Sequence, residues 1–192
     1  ESIDLCVDAT DPDDFINCVR FLAPSFGGIN LEDIKAPDCF YVEEKLKELM
    51  PIPIFHDDQH GTAIVTLCGF INSCLITKRD ASKTKVVLNG AGAAGIACIK
   101  LLHNYGVSKD NIVICDTKGV CYKGRTEGMN KYKDEFATSR PERTLKEALK
   151  GADVFIGVSA GNLLCADDVK AMAPKPIIFA MANPVPEIYP DE

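Results

Sequence analysis

The sequence predicts an α/β fold in two units, a smaller one followed by a doubly wound parallel sheet, with the arrangement incomplete at both ends. Three observations predict it. Beyond Lys85, short continuous apolar runs alternate with amphipathic segments, the pattern of parallel strands covered by helices on both faces. A glycine-rich turn, Gly90 to Gly95, stands between the first such run and the first helix. Before Lys85, three apolar runs end in acidic or proline-bearing turns that lead toward helical spacing.

Taken in order, Ile3 to Val7 is expected to be a short strand. Thr10-Asp11-Pro12 then supplies a helix cap with proline at the first helical position, and Phe15, Val19 and Leu22 form the apolar face. Gly27 to Leu31 is a second strand running into the acidic pair Glu32-Asp33, and Cys39 to Met50 is a helix with Phe40, Leu46 and Leu49 inward. Ile52 to Phe55 is a third strand, which Pro53 confines to a sheet edge or a strand start. After His56-Asp57-Asp58-Gln59-His60 comes a helix from about Gly61 to Thr77, apolar on nearly all sides and therefore expected to be buried. The polar run Thr77 to Lys85 divides the chain into units 1–80 and 81–192. The second unit reads as strand Val86 to Leu88, helix Ala94 to Tyr105, strand Ile112 to Cys115 and helix Thr144 to Lys150, opened by the capping box Thr144-Leu145-Lys146-Glu147. Strand Val154 to Ile156, helix Ala166 to Met172 and strand Ile177 to Phe179 follow. A complete dinucleotide-binding sheet has about six strands, so the four here are expected to continue beyond Glu192.

Composition narrows the function. Of 192 residues, 46% are hydrophobic and 26% charged, a balance that excludes a disordered chain. The net charge is −7 and no basic run could track a phosphate backbone, which argues against nucleic acid as a partner. Apolar stretches are interrupted short of the roughly 20 positions a membrane span needs, and Glu1 to Asp8 lacks the order of a secretion signal. Nine cysteines without a C-x-x-C pair, most among apolar neighbours as in Leu5-Cys6-Val7 and Leu67-Cys68, read as buried reduced thiols in a cytoplasmic protein.

Gly90, Gly92 and Gly95 satisfy G-x-G-x-x-G, with Ala91, Ala93 and Ala94 between them. In a strand-to-helix turn this spacing gives a tight bend, close backbone approach to a pyrophosphate and close packing of helix on strand, as in a Rossmann-like nucleotide site. Asp116 closes the next strand, 21 residues after Gly95, where a carboxylate accepts from adenosine ribose hydroxyls and favours NAD. Lys118 argues oppositely, since it could neutralise the ribose phosphate of NADP. Val158 and Ser159 line the end of the third strand, and Asn183 brings an amide to the same sheet edge, facing cofactor or substrate.

Glu32, Asp33, Asp57 and Asp58 each follow a short strand of the first unit. Parallel neighbours would bring these acids into one crevice, where a hard divalent ion, Mg²⁺ or Mn²⁺, would relieve their repulsion. The alternative for Asp57 and Asp58 is that they favour the positive amino end of the long helix. His56 and His60, four apart, read as loop hydrogen-bonding groups rather than zinc ligands.

Four segments together, Gly27 to Pro37, Ile54 to Ala63, Asn89 to Gly95 and Ala182-Asn183-Pro184, resemble malic enzymes, most closely their compact microbial branch. The resemblance covers essentially the whole chain in order. It implies oxidative decarboxylation of L-malate to pyruvate and CO₂ with reduction of NAD or NADP, a required Mg²⁺ or Mn²⁺, and assembly as dimers or higher. It further implies that Glu32, Asp33 and Asp58 bind the metal, that Asp57 supports the catalytic base, and that Asn183 meets substrate and nicotinamide. The family's catalytic tyrosine and lysine lie in motifs that do not occur between Glu1 and Glu192, so this chain is expected to be a central portion, inactive by itself. An amino-acid-dehydrogenase-like enzyme and a non-catalytic nucleotide sensor are the competing readings.

Overall fold

Asp11 opens the first helix of the computed structural model, which describes residues 2–192. Its carboxylate accepts from the amides of Asp13 and Asp14, while Pro12 at the first position has no N–H to leave unpaired. Helix α1 (Pro12–Arg20) buries Ile16 and Val19. Strand β1 (Ile29–Leu31), helix α2 (Asp38–Leu49) and strand β2 (Ile54–His56) complete the small unit. β1 and β2 pair in parallel with Ile29 opposite Ile54 and Leu31 opposite His56. One apolar cluster, including Ile16, Val19, Leu31, Val42, Leu46 and Ile54, fills the space beneath them.

Helix α3 (Asp57–Thr77) follows β2 without a loop. The second unit contains β3 (Val86–Asn89), α4 (Ala93–Tyr105), β4 (Ile112–Asp116), β5 (Gly119–Val120), α5 (Lys131–Asp134), α6 (Leu145–Leu149), β6 (Val154–Gly157), α7 (Ala166–Lys170) and β7 (Ile177–Ala180). Its sheet has the order β5-β4-β3-β6-β7, parallel except for β5. Both faces are covered. Val86, Leu88, Ile114 and Ile156 pack toward α3 and α4, whereas Val87, Val113 and Phe155 pack toward α6 and toward Leu164 and Met172, which flank α7. Each of these fully buried side chains contributes about 1.5–3 kcal/mol of apolar transfer free energy.

Several expectations are corrected. Ile3 to Val7 is not a strand: β1 and β2 pair only with each other, residues 2–10 carry no regular structure, and Ile3 and Leu5 are 63% and 53% exposed. Leu49 faces outward, at 52% exposure. The long helix begins at Asp57, not near Gly61, because His56 caps it by accepting from the Gln59 amide through Nδ1. Nor is that helix buried all round. Ala63, Thr66, Phe70 and Cys74 face inward, but Ile64, Val65, Leu75 and Ile76 stay exposed because no described element covers their side. By length and composition alone α3 could cross a membrane, yet its inward face packs Ala63 against Ala97 and Cys98 of α4. The antiparallel β5 was not foreseen.

The cysteines divide into two groups. Cys39, Cys74, Cys98, Cys115 and Cys121 are buried, while Cys6, Cys18, Cys68 and Cys165 are exposed, against the expectation for the latter. Burial pushes the Cys115 thiol up to about 12 and those of Cys39 and Cys121 to about 11. In this chain a native thiol titration at pH 8 is therefore expected to modify the four exposed cysteines quickly and the five buried ones only on unfolding. Rapid labelling of Cys115 would contradict the packing described.

Candidate functional site

β3 pairs with β4 on one side and β6 on the other, so the chain reverses its winding direction between β3 and β6. In open parallel sheets a crevice forms at the carboxyl ends of such a pair. The glycine loop leaves β3 at this place. Gly90 turns there with φ +110°, and its amide and that of Ala91 donate to the Cys115 carbonyl at 2.9 and 3.2 Å. A Cβ on Gly90 would lie 2.7 Å from the Val158 carbonyl oxygen, and one on Gly95 would fall on the Gly90 carbonyl oxygen. Gly92 is the N-cap of α4 and offers no side chain, leaving the first-turn amides of a 13-residue helix without a protein cap. That end suits an anion, and the backbone cradle fits a pyrophosphate.

A cleft of about 530 Å³ gathers most of the residues singled out in the sequence. Gly90, Gly92, Ala93, Ala94 and Gly95 line one side, Val158, Ser159 and Asn183 another, and Asp33 and Asp58 of the small unit a third. Ala91 is buried beneath the loop, at 6% exposure. The register of β1 on β2 ends with Leu31 opposite His56, so Glu32 and Asp57 are the first residues beyond the two strands. Asp33, at φ +58°, donates its amide to Asp58 Oδ2 at 3.0 Å. Glu32 instead accepts from the Asn30 side-chain amide at 2.7 Å. Among the described residues no three His, Cys, Asp or Glu side chains are grouped as ligands for one ion. Asp33 and Asp58 thus meet through an amide-to-carboxylate bond, while the Glu32 carboxylate is engaged locally by Asn30. Asp57 is exposed and lies over the first turn of α3, where a Cβ on Gly61 would meet its Oδ1. Buried His56 brings Nε2, which has no hydrogen-bond partner, to 4.0 Å from Asp58 Oδ2. His60 lies on the helix, not in a loop, and pairs with Glu43 at 2.7 Å.

Asp116 and Lys118 stand outside the cleft lining. The Asp116 carboxylate is already engaged by Arg125, by Lys133 at 2.7 Å and by the Lys118 amide at 2.9 Å. Burial alone would raise its pKa, but the hydrogen bonds from Arg125 and Lys133 outweigh this and hold it below the usual carboxylate range. Lys118 pairs with Glu127 at 2.6 Å. Sequence reasoning missed Arg125, which reaches Asp116 from an irregular loop, and Lys133, which reaches it from the short helix α5. It also missed Asn89, whose amide donates to Ser159 Oγ at 2.8 Å, and Glu187, which sits behind the cleft. The position of Asn89 at the end of an apolar run was the available signal for the first; Glu187 had none.

Fold and cleft define a dinucleotide-binding α/β chain whose phosphate loop faces an acidic edge. Residues 59–189 match the family model described as malic enzyme, NAD binding domain, and residues 7–47 that described as malic enzyme, N-terminal domain. The chain belongs to the malic enzyme family. It is 61% identical over its whole length to an NADP-dependent malic enzyme of Rhizobium meliloti, of which it spans 25%. It is 52% identical to a bifunctional malic/malolactic enzyme of Bacillus subtilis, of which it spans 47%. Among solved structures, the NAD-dependent malic enzyme of Thermotoga maritima superposes with a TM-score of 0.92 at 45% identity, over 97% of this chain and 50% of that one. The ornithine carbamoyltransferase of Pyrococcus furiosus, at 15% identity and a TM-score of 0.61, shares the fold alone.

Proposed function

We propose that this chain carries the cofactor cleft and metal edge of an enzyme that converts L-malate to pyruvate and CO₂ while reducing NADP. The observation that supports this best is the single cleft lined by Asp33 and Asp58 together with the glycine loop, Ser159 and Asn183. Units 1–80 and 81–192 remain our assignment for the metal and nucleotide parts.

In this reading the first-turn amides of α4 hold the pyrophosphate, and Gly90 and Gly95 let the backbone approach it. Ser159, fixed by Asn89, and Asn183 orient the nicotinamide and substrate across the cleft. Glu32, Asp33 and Asp58 are the oxygen donors for Mg²⁺ or Mn²⁺, a donor set that fits a hard ion once Glu32 exchanges the Asn30 amide for it. When bound, such an ion polarises the oxygens of malate and offsets the negative charge that develops as CO₂ departs. Asp57, exposed beside these carboxylates, is available to orient a basic group.

The preference for NADP rests on the surroundings of Asp116. Its charge is compensated by two cations, and Lys118, Arg125 and Lys133 against Asp116 and Glu127 leave one positive charge in excess. A neutralised strand-end acid no longer repels a ribose phosphate. Relatives include NADP-dependent malic enzymes of Rhizobium meliloti and Salmonella typhimurium and an NAD-dependent one of Rhizobium meliloti, so the choice rests on the charges around Asp116.

Calorimetric titration of the full-length protein with Mn²⁺ tests the metal edge. Asp58→Asn is expected to weaken binding at least ~10-fold, and unchanged affinity would remove Asp58 from the ligand set. In parallel, wild-type protein given malate, Mn²⁺ and equal NAD or NADP should reduce NADP faster. Failure to reduce either nucleotide would overturn the proposed activity.

A further inference from the structure

Glu187 is fully buried, at 0% exposure, and has no cation beside it among the described residues. A carboxylate in such a place is costly unless its oxygens are satisfied by fixed donors. Here the two oxygens divide that role. Oε1 accepts from the Ser159 amide at 3.2 Å and Oε2 from the Ala182 amide at 3.1 Å. Ser159 lies two residues past the end of β6, and Ala182 two past the end of β7 and directly before Asn183. The carboxylate therefore joins the two strand exits that present Ser159 and Asn183 to the cleft.

The surrounding backbone is shaped to admit it. A Cβ on Gly157, the last residue of β6, would fall on the Glu187 carboxyl group, so only glycine leaves room there. The segment carrying Glu187 is tied back by the Asn162 amide on the Pro186 carbonyl at 2.9 Å and the Leu164 amide on the Glu187 carbonyl at 3.0 Å. These bonds hold the side chain from behind. Its two carboxylate oxygens then fix the separation of the exits in front.

We infer that Glu187 is a positioning residue, a bidentate acceptor that sets the distance between Ser159 and Asn183. It touches neither cofactor nor substrate and acts only through those two exits; the inference rests on the reading of the cleft as the nicotinamide-dinucleotide site. Glutamine is nearly isosteric, but it turns one acceptor into an N–H that meets another N–H, so one tie is lost and the edge opens.

The test compares Glu187→Gln, Glu187→Asp and Gly157→Ala in the full-length protein. Three readouts are used: NADPH affinity by fluorescence, the division of effect between kcat and the KM for nucleotide, and Mn²⁺ affinity. Glu187→Gln is expected to weaken NADPH binding about tenfold and to lower kcat, with Mn²⁺ affinity within about twofold of wild type. Gly157→Ala, which keeps the carboxylate but displaces it, should give the same pattern. Glu187→Asp, which keeps both acceptors on a shorter arm, should recover part of the loss. Folded Glu187→Gln protein with wild-type NADPH affinity and kcat would overturn the inference, as would a proportional fall in Mn²⁺ affinity, the mark of general destabilisation. If wild-type protein binds NADPH but does not oxidise malate, the proposed activity fails while these affinities still judge Glu187. If it binds no nucleotide, both fail.

Discussion

Gly95→Ala is expected to abolish useful nucleotide binding. Its new methyl would coincide with the Gly90 carbonyl oxygen and approach Leu88 Cδ2 to 2.9 Å. Neither neighbour can retreat: Gly90 is held by the Cys115 carbonyl, and Leu88 is fully buried in the central strand. Relieving the overlap means lifting α4 from β3, at a cost of roughly 2–3 kcal/mol. Borne by the phosphate cradle, this corresponds to a loss of ~30–150-fold in affinity. Gly92→Ala is the internal control, because a Cβ at Gly92 meets nothing within 4 Å and its φ of −92° suits any residue. Its free protein should be as stable as wild type, with any loss confined to the nucleotide complex. Equal NADPH affinity for Gly95→Ala and wild type in a fluorescence titration would show that the loop does not form the phosphate site.

The second large effect concerns Arg125. Its side chain is 5% exposed, pairs with an Asp116 side chain that is 11% exposed, and donates to the carbonyls of Gly119, Val120 and Glu127. Arg125→Met leaves Asp116 with Lys133 as its one paired cation beside the Lys118 amide, and these carbonyls without their donor. Breaking a buried pair from one side should cost about 3 kcal/mol in urea denaturation at pH 7. The pH dependence has a definite sign. Because the folded-state pKa of Asp116 is depressed, its contribution to stability is present above the unfolded value of about 3.9 and is lost as pH falls through the folded value. The gap between wild type and variant should therefore narrow as pH falls below the unfolded value. A gap below ~0.5 kcal/mol at pH 7, or one that persists into acid, would show that the pair is not holding this loop.

What could be read from the sequence was whatever depends on neighbours along the chain. The capping box at Thr144 and Glu147 is present because both partners lie within one turn. The glycine loop was legible for the same reason, since its three glycines constrain each other over six positions. Failures came where a distant group decides. Ile3 to Val7 has strand composition, but a strand exists only through a partner ladder. The outward residues of α3 show that an all-round apolar pattern does not reveal which neighbours will cover it. Asp116 looked like an open acceptor, yet Arg125 and Lys133 return to it from 9 and 17 residues away. Within the cleft, Asp33 and Asp58 converge through the β1–β2 register, whereas the local amide of Asn30 draws Glu32 aside.

The order of strands also governs assembly. Val86 on the central strand finds Ile112 after 26 residues on one side, but Val154 only after 68 on the other. Closing the longer loop is entropically the harder step, so β6 is expected to join after β3 and β4 have paired. Only its arrival brings Val158 against Gly90 and Ser159 against Asn89. The nucleotide cleft is thus a late product of folding. A half-assembled chain has nothing for the dinucleotide to bind, and the ligand stabilises the finished sheet without guiding its formation.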